Sequence, residues 1–247
     1  MIKFFNNIRS TLIDEGNMKR YLIYAIGEIV LVVLGILIAL QINNWNTERL
    51  NRHIEKDYLS EIKVNMMADK LAIKRILEFN DAKVMAIDSV LNLFSVATSS
   101  EDYMSKLVIQ VNYLSQYDLF IPIRTSYDNM ISSSNIDIIK NKDLRKQISE
   151  YYSAMGVENS TQEGTKIHTR NFGEDLIPKV IGDKKVQQLV GISLDFNDNR
   201  VINIHKDRTV IANLIEMKTN TLAQTLEVKN TDAQINSIIS IIDQELK

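Results

Sequence analysis

One run of the chain is apolar on every side. From Tyr21 to Ile42 (YLIYAIGEIVLVVLGILIALQI), only Glu28 and Gln41 interrupt a series of hydrophobic and small residues. At ~1.5 Å per residue such a helix is roughly 30 Å long, the thickness of a bilayer's hydrocarbon core. A soluble helix of that length would carry a polar face, so the pattern predicts a transmembrane helix over 21–42. Tyr21 and Tyr24 at one end and Trp45 at the other fit interfacial edges, with Asn43, Asn44 and Asn46 leading into water. The run is too long for the apolar core of a signal peptide, and Ala39-Leu40-Gln41 is a poor cleavage site. The reading is an uncleaved signal-anchor.

Beyond Trp45 the pattern changes but stays helical. Leu50, Ile54, Ile62, Met66, Ile73, Leu77, Val84, Ile87, Leu91 and Phe94 recur at three-, four-, seven- and eight-residue steps, a helix period. The membrane helix is predicted to run on as a stalk to about Ala97, with a kink near Asn80-Asp81. Glu61, Lys63, Asp69, Lys70, Lys74 and Arg75 read as its solvated face. Ser99 or Ser100 is the expected N-cap of a second helix ending near Tyr117, followed by a connection containing Pro122. Thr125 opens a short helix that Ser132–Asn135 closes, and Asn141 caps a third major helix with Leu144, Ile148, Tyr151, Tyr152 and Met155 on its apolar stripe.

Five of the eight glycines fall between Gly156 and Gly191, with Pro178 among them. This stretch is expected to be irregular, made of broken helices. Residues 193–204 fit either a small hairpin or, preferably, an N-cap at Asn197 or Asp198. The last helix is expected from about Asn199 to Leu246, with a break near Asn230-Thr231, where Thr231-x-x-Gln234 forms a capping box. Its length matches the stalk's. The predicted fold is therefore all-α: residues 1–20 a basic tail, 21–42 a transmembrane helix, and 43–247 an antiparallel helical bundle whose last helix returns along the first.

The run from Ala25 to Asn46, AIGEIVLVVLGILIALQINNWN, resembles a family of uncharacterised single-span proteins from Bacteroidota. Thr125-Ser126-Tyr127 and the stretch from Ile139 to Tyr152 share the likeness more loosely. The resemblance implies a bacterial envelope protein and brings no activity with it.

Charge adds a direction. Lys3, Arg9, Lys19 and Arg20 precede the span, whereas Arg49, Arg52 and Lys56 after it are mixed with Glu48 and Glu55. The expectation is an inner-membrane protein with its N-terminus in the cytoplasm and its C-terminal domain in the periplasm. Phe5, Ile8 and Leu12 place a possible interfacial helix in the tail, ending near Gly16-Asn17. The absence of cysteine fits an exported domain without disulfides. A net charge of −2 implies no basic face for nucleic acid.

Chemistry is scarce. His53, His168 and His205 are far apart in sequence, and His53 with Asp57 reads as a solvated helix face rather than as metal ligands. Ser126, between Arg124 and Tyr127, reads as turn or capping chemistry, since no base is spaced to activate it. No phosphate loop, nucleophile elbow or zincin pattern occurs. No cofactor or metal is expected. The leading reading is a membrane-anchored interaction, scaffold or sensory-type module. The rival is an envelope enzyme whose site is assembled across the bundle.

One residue in the span has a definite expectation. A carboxylate at the depth of Glu28 is unfavourable by up to about 3 kcal/mol near the bilayer centre. At ~100° per residue, Gly35 and Ala39 fall within about 20° of Glu28 on the helix wheel, with Val32 beside them. Gly35-x-x-x-Ala39 lets two backbones approach closely. Glu28, Val32, Gly35 and Ala39 are therefore expected to form a helix–helix interface, with Glu28 hydrogen-bonding across it. The expected partners are the lipid bilayer and either another copy of the chain or another membrane protein.

Overall fold

The structure, a computed structural model, describes residues 18–99, 102–154, 160–195 and 203–247. Among these residues it is all-α, a bundle that includes one long, N-terminally apolar helix. The helices are α1 (Met18–Val96), α2 (Met104–Leu114), α3 (Thr125–Ser132), α4 (Lys142–Ala154), α5 (Ser160–Val180), α6 (Lys184–Val190) and α7 (Arg208–Glu245). Short 3-10 turns cover Ile136–Ile138 and Ile204–Lys206. The chain divides into two compact units, residues 1–55 and 56–247.

In the first unit, the described residues are all helical. This helix is long and apolar enough to cross a membrane, and none of its most apolar stretch is buried within the protein. The expected interfacial helix of the tail lies outside the described residues.

The second unit is organised by two heptad stripes. On α1, Leu59, Ile62, Met66, Asp69, Ile73, Ile76, Asn80, Lys83, Ile87, Val90 and Phe94 are all buried, at alternating steps of three and four. On α7, Val210, Leu214, Met217, Thr221, Gln224, Val228, Thr231, Ile235, Ile238 and Ile242 do the same. A 3-4 alternation keeps one seam facing a neighbour along the whole helix. The two helices run antiparallel. Lys56 Nζ donates to the Leu246 carbonyl (3.1 Å), Lys63 to Asp243 (2.5 Å), Asn80 to Gln224 (3.2 Å) and Lys218 to Asp88 (2.5 Å). As the number rises along α1, its partner's falls along α7, so the last helix does return along the first.

These stripes build two separate apolar cores. The first gathers Leu59–Ile76 of α1, Phe120, Tyr127 and Met130, the α4 residues Leu144, Ile148, Tyr151 and Tyr152, and Val228–Ile242 of α7. The second gathers Ala86–Phe94 of α1, Tyr103–Leu114, Phe172, Leu176 and Val186, and Ile204–Met217.

Several local expectations are corrected. The stretch from Gly156 to Gly191 is broken as expected at 181–183, between α5 and α6, but residues 160–180 hold as one helix through Gly164 and Gly173, with Pro178 in its last turn. The reason is packing: α5 lies against α7, and a Cβ at Gly164 would lie 2.4 Å from Asn220 Oδ1. Glycine there permits the close approach. The last helix starts at Arg208, not Asn199, because Asp207 caps it by accepting from the amides of Thr209 (2.9 Å) and Val210 (3.3 Å). The expected cap or hairpin at 196–202 lies outside the described residues. α7 also continues through Asn230-Thr231, where Thr231 Oγ1 donates back to the Glu227 carbonyl (3.1 Å) instead of capping. Before α2, Asp102 reaches back to the amides of Thr98 (2.8 Å) and Ser99 (2.9 Å), so Ser99 is not the cap, while Ser100 is outside the described residues. α2 itself stops at Leu114. The expected cap at Asn141 is present, its side chain accepting from the Leu144 amide at 3.0 Å.

Candidate functional site

Glu28, Val32, Gly35 and Ala39 lie on the continuous helix of the first unit. Glu28 is half-buried and the other three are exposed. A Cβ built at Gly35 meets nothing within 4 Å. Among the described residues, none requires glycine at that position.

In the second unit, the densest polar chemistry is built around Asp69. It sits in the α1 stripe between Met66 and Ile73 and is 1% exposed. The Ile123 amide donates to Oδ1 at 2.9 Å and the Tyr151 hydroxyl to Oδ2 at 2.8 Å. Burial pushes the Asp69 carboxyl above its usual range, while these two donors pull it back. Burial, and then the Asp69 charge, push the Tyr151 hydroxyl well above its ordinary value, so its proton stays in place as a donor. Tyr151 packs edge-on against Tyr152 (4.8 Å between centroids), and Tyr152 stacks on Tyr127 (4.5 Å). The Arg124 guanidinium lies about 6 Å from both stacked rings and donates to the Tyr152 carbonyl at 2.8 Å. Asn65 Nδ2 donates to Ser126 Oγ at 2.9 Å. Together these bonds fix residues 120–127 between α1 and α4.

The arrangement corrects two sequence readings. Asp69 is not on the solvated face. The signal was present in the sequence, since Ile62, Met66, Asp69, Ile73 and Ile76 share one 4-3 spacing. Ser126 is buried, and its bond is a cross-helix one to an amide rather than a turn or cap. An amide cannot accept its proton, so this pair does not make a nucleophile.

A second polar group lies farther along α1. Lys83, fully buried, donates to the Gln116 carbonyl (2.6 Å) and Thr169 Oγ1 (2.8 Å). Burial lowers its ammonium to about 8, and no carboxylate is among its partners. The expected kink at Asn80 does not interrupt the helix. The Asn80 amide instead bonds Gln224 and Thr225 (both 3.2 Å), and Gln224 donates to the Asp118 carbonyl at 2.9 Å.

The histidines occupy separate places. His168 Nδ1 is 3.3 Å from Glu216 but off a hydrogen-bonding geometry. His205 is buried against the Tyr103 ring (5.3 Å), and neither of its ring nitrogens has a partner. Among the described residues no group of three or more His, Cys, Asp or Glu side chains converges. An open groove lined by Met85, Asp88, Ser89, Asn92, Leu93, Val96 and Lys106 borders α1 and α2, and its Asp88 is held by Lys218.

Residues 28–158 match a family of unknown function, DUF6090. The chain belongs to this family. The DUF6090 segment starts at Glu28 and ends just past α4, so it contains the whole Asp69–Arg124–Tyr151 cluster and Lys83. It leaves α5, α6 and α7 outside, including Thr169 and Gln224. No curated protein and no solved structure matches the chain.

Proposed function

We propose that this DUF6090 protein is a single-span protein of the bacterial inner membrane, with its N-terminus in the cytoplasm and residues 43–247 in the periplasm. It acts there as an interaction, scaffold or sensory-type module rather than as an enzyme. The observation that carries this reading is the inward direction of the bundle's polar chemistry. Asp69, Lys83 and Ser126 are buried and bonded between helices, where an external substrate has no access to them. The Glu28–Val32–Gly35–Ala39 face is the membrane contact, to another copy of the chain or to another membrane protein. An open Gly35, with none of the described residues against it, supports that role.

Pull-down of the full chain from native membranes should recover a reproducible envelope partner, and an isolated monomer with nothing enriched would defeat the reading. In-membrane crosslinking should persist in Glu28→Gln and weaken in Glu28→Leu and Gly35→Ile. Equal crosslinking of all three with the parent would move the interface elsewhere. A C-terminal reporter active only outside the cytoplasm should be active.

A further inference from the structure

The two apolar cores do not merge: between them lies a layer to which each crossing element contributes polar groups, with Phe79 of α1 against Tyr113 of α2 (6.4 Å between centroids) beside it. α1 contributes Asn80 and Lys83, and α7 contributes Asn220, Thr221, Gln224 and Thr225. α5 contributes Thr161, Thr165 and Thr169. The connection after α2 contributes the carbonyls of Gln116 and Asp118. Asn220 Nδ2 donates to the Thr161 carbonyl (2.8 Å) and to Thr165 Oγ1 (2.7 Å), which ties α7 to α5 within the same layer.

We propose that this layer is a hinge built into the bundle: the second core opens and closes as one unit while the first stays folded, and the buried Lys83 ammonium sets the balance. The proposal goes beyond the function suggested above and holds whatever the bundle binds. Contiguous apolar contact is what makes two regions unfold together, and local opening follows the boundaries of such clusters. Here contiguity stops at the layer. Hydrogen bonds can be exchanged for bonds to water with little net loss, so parting the layer is far easier than parting a core.

Two further observations point the same way. Lys83 is bonded only to a carbonyl and a hydroxyl, so opening hydrates a charge that has no buried counter-charge. The nearby charges are engaged elsewhere: Asp118 with Arg75, Asp88 with Lys218, Glu227 with Thr161, Lys166 with Glu163, and Glu216 beside His168. The second core also buries the unpartnered His205 ring, a strain that opening relieves.

Hydrogen exchange on the full chain in detergent tests the hinge. At pH 7, amides of residues 86–114, 164–190 and 208–217 should exchange as one group, at least about tenfold faster than those of 59–76 and 228–242. Lys83→Met should slow the first group by about tenfold, and the second by no more than the same factor. The parent supplies an independent reading. Moving from pH 7.5 to 9, after correction for intrinsic exchange, should protect the first group as Lys83 loses its proton, an effect absent from Lys83→Met. A single common rate for both groups, faster exchange in Lys83→Met, or no protection of the first group at pH 9 would each overturn the proposal.

Discussion

Asp69 and Lys83 stand on the same stripe of the same helix, fourteen residues apart. Both are buried charges, and burial pushes each toward its neutral form, the acid upward and the base downward. Their surroundings differ. Asp69 is met by two strong donors, a backbone amide and a tyrosine hydroxyl, and aromatic rings pack around it inside the first core. Lys83 is met by neutral acceptors in a layer with an apolar core on either side. A buried charge that satisfies groups with no other partner is a bolt. A buried charge whose partners could be replaced by water is a point of give.

The largest test of this contrast is Asp69→Ala. It orphans the Ile123 amide and the Tyr151 hydroxyl in the first core, at a cost of about 2–4 kcal/mol. Thermal unfolding of the full chain in detergent should fall by roughly 5–15 °C. A fall of a degree or two would mean that the cluster is not a bolt.

Lys83→Met should act in the opposite sense. Removing an uncompensated buried charge should stabilise the chain at pH 7 by about 1–3 kcal/mol, after allowing for the two acceptors left behind. The sign follows from the lowered base. Between about 8 and the unfolded lysine's 10.5, the unfolded chain binds more protons, so the parent's stability rises with pH across that window. Tyr151 and Tyr152, both pushed above the ordinary tyrosine value by burial, oppose this only above about pH 10. Denaturant titrations at pH 7.5 and 9.5 should therefore show a gain in the parent and none in Lys83→Met. An equal gain in both would assign the effect to another group.

The smallest effect sharpens the comparison at the layer itself. Gly164→Ala forces Asn220 to rotate away from Thr161 and Thr165, breaking two layer bonds while adding a better helix former. The net should be a loss of about 0.5–1.5 kcal/mol. If the layer is where the bundle gives, that loss should speed exchange in the second core. Unchanged exchange there would show that the bundle does not give at the layer.

Much of this was legible in the chain. The long first helix, the short one at Thr125, the cap at Asn141 and the returning last helix all follow from periodicity and cap residues, which are local signals. The polar sites were less legible. Asp69, Asn80 and Lys83 stand on the buried spacing, but charge and side-chain type argued for a solvated face at Asp69 and a kink at Asn80, and nothing singled out Lys83. Charge alone does not tell which face a neighbour covers.

The sequence by itself determined an all-helical chain with one segment apolar enough to cross a membrane, because helix period and apolar length are properties of consecutive residues. Only the tertiary structure decided that a glycine- and proline-bearing stretch would hold as the helix α5, that α7 would pass unbroken through Asn230-Thr231, and that Asp69 and Lys83 would lie inside. Those outcomes depend on what packs opposite. The tight contact at Gly164 favours a helix that propensity disfavours, and Asp69 and Lys83 are buried because donors and acceptors from helices distant in sequence meet them there.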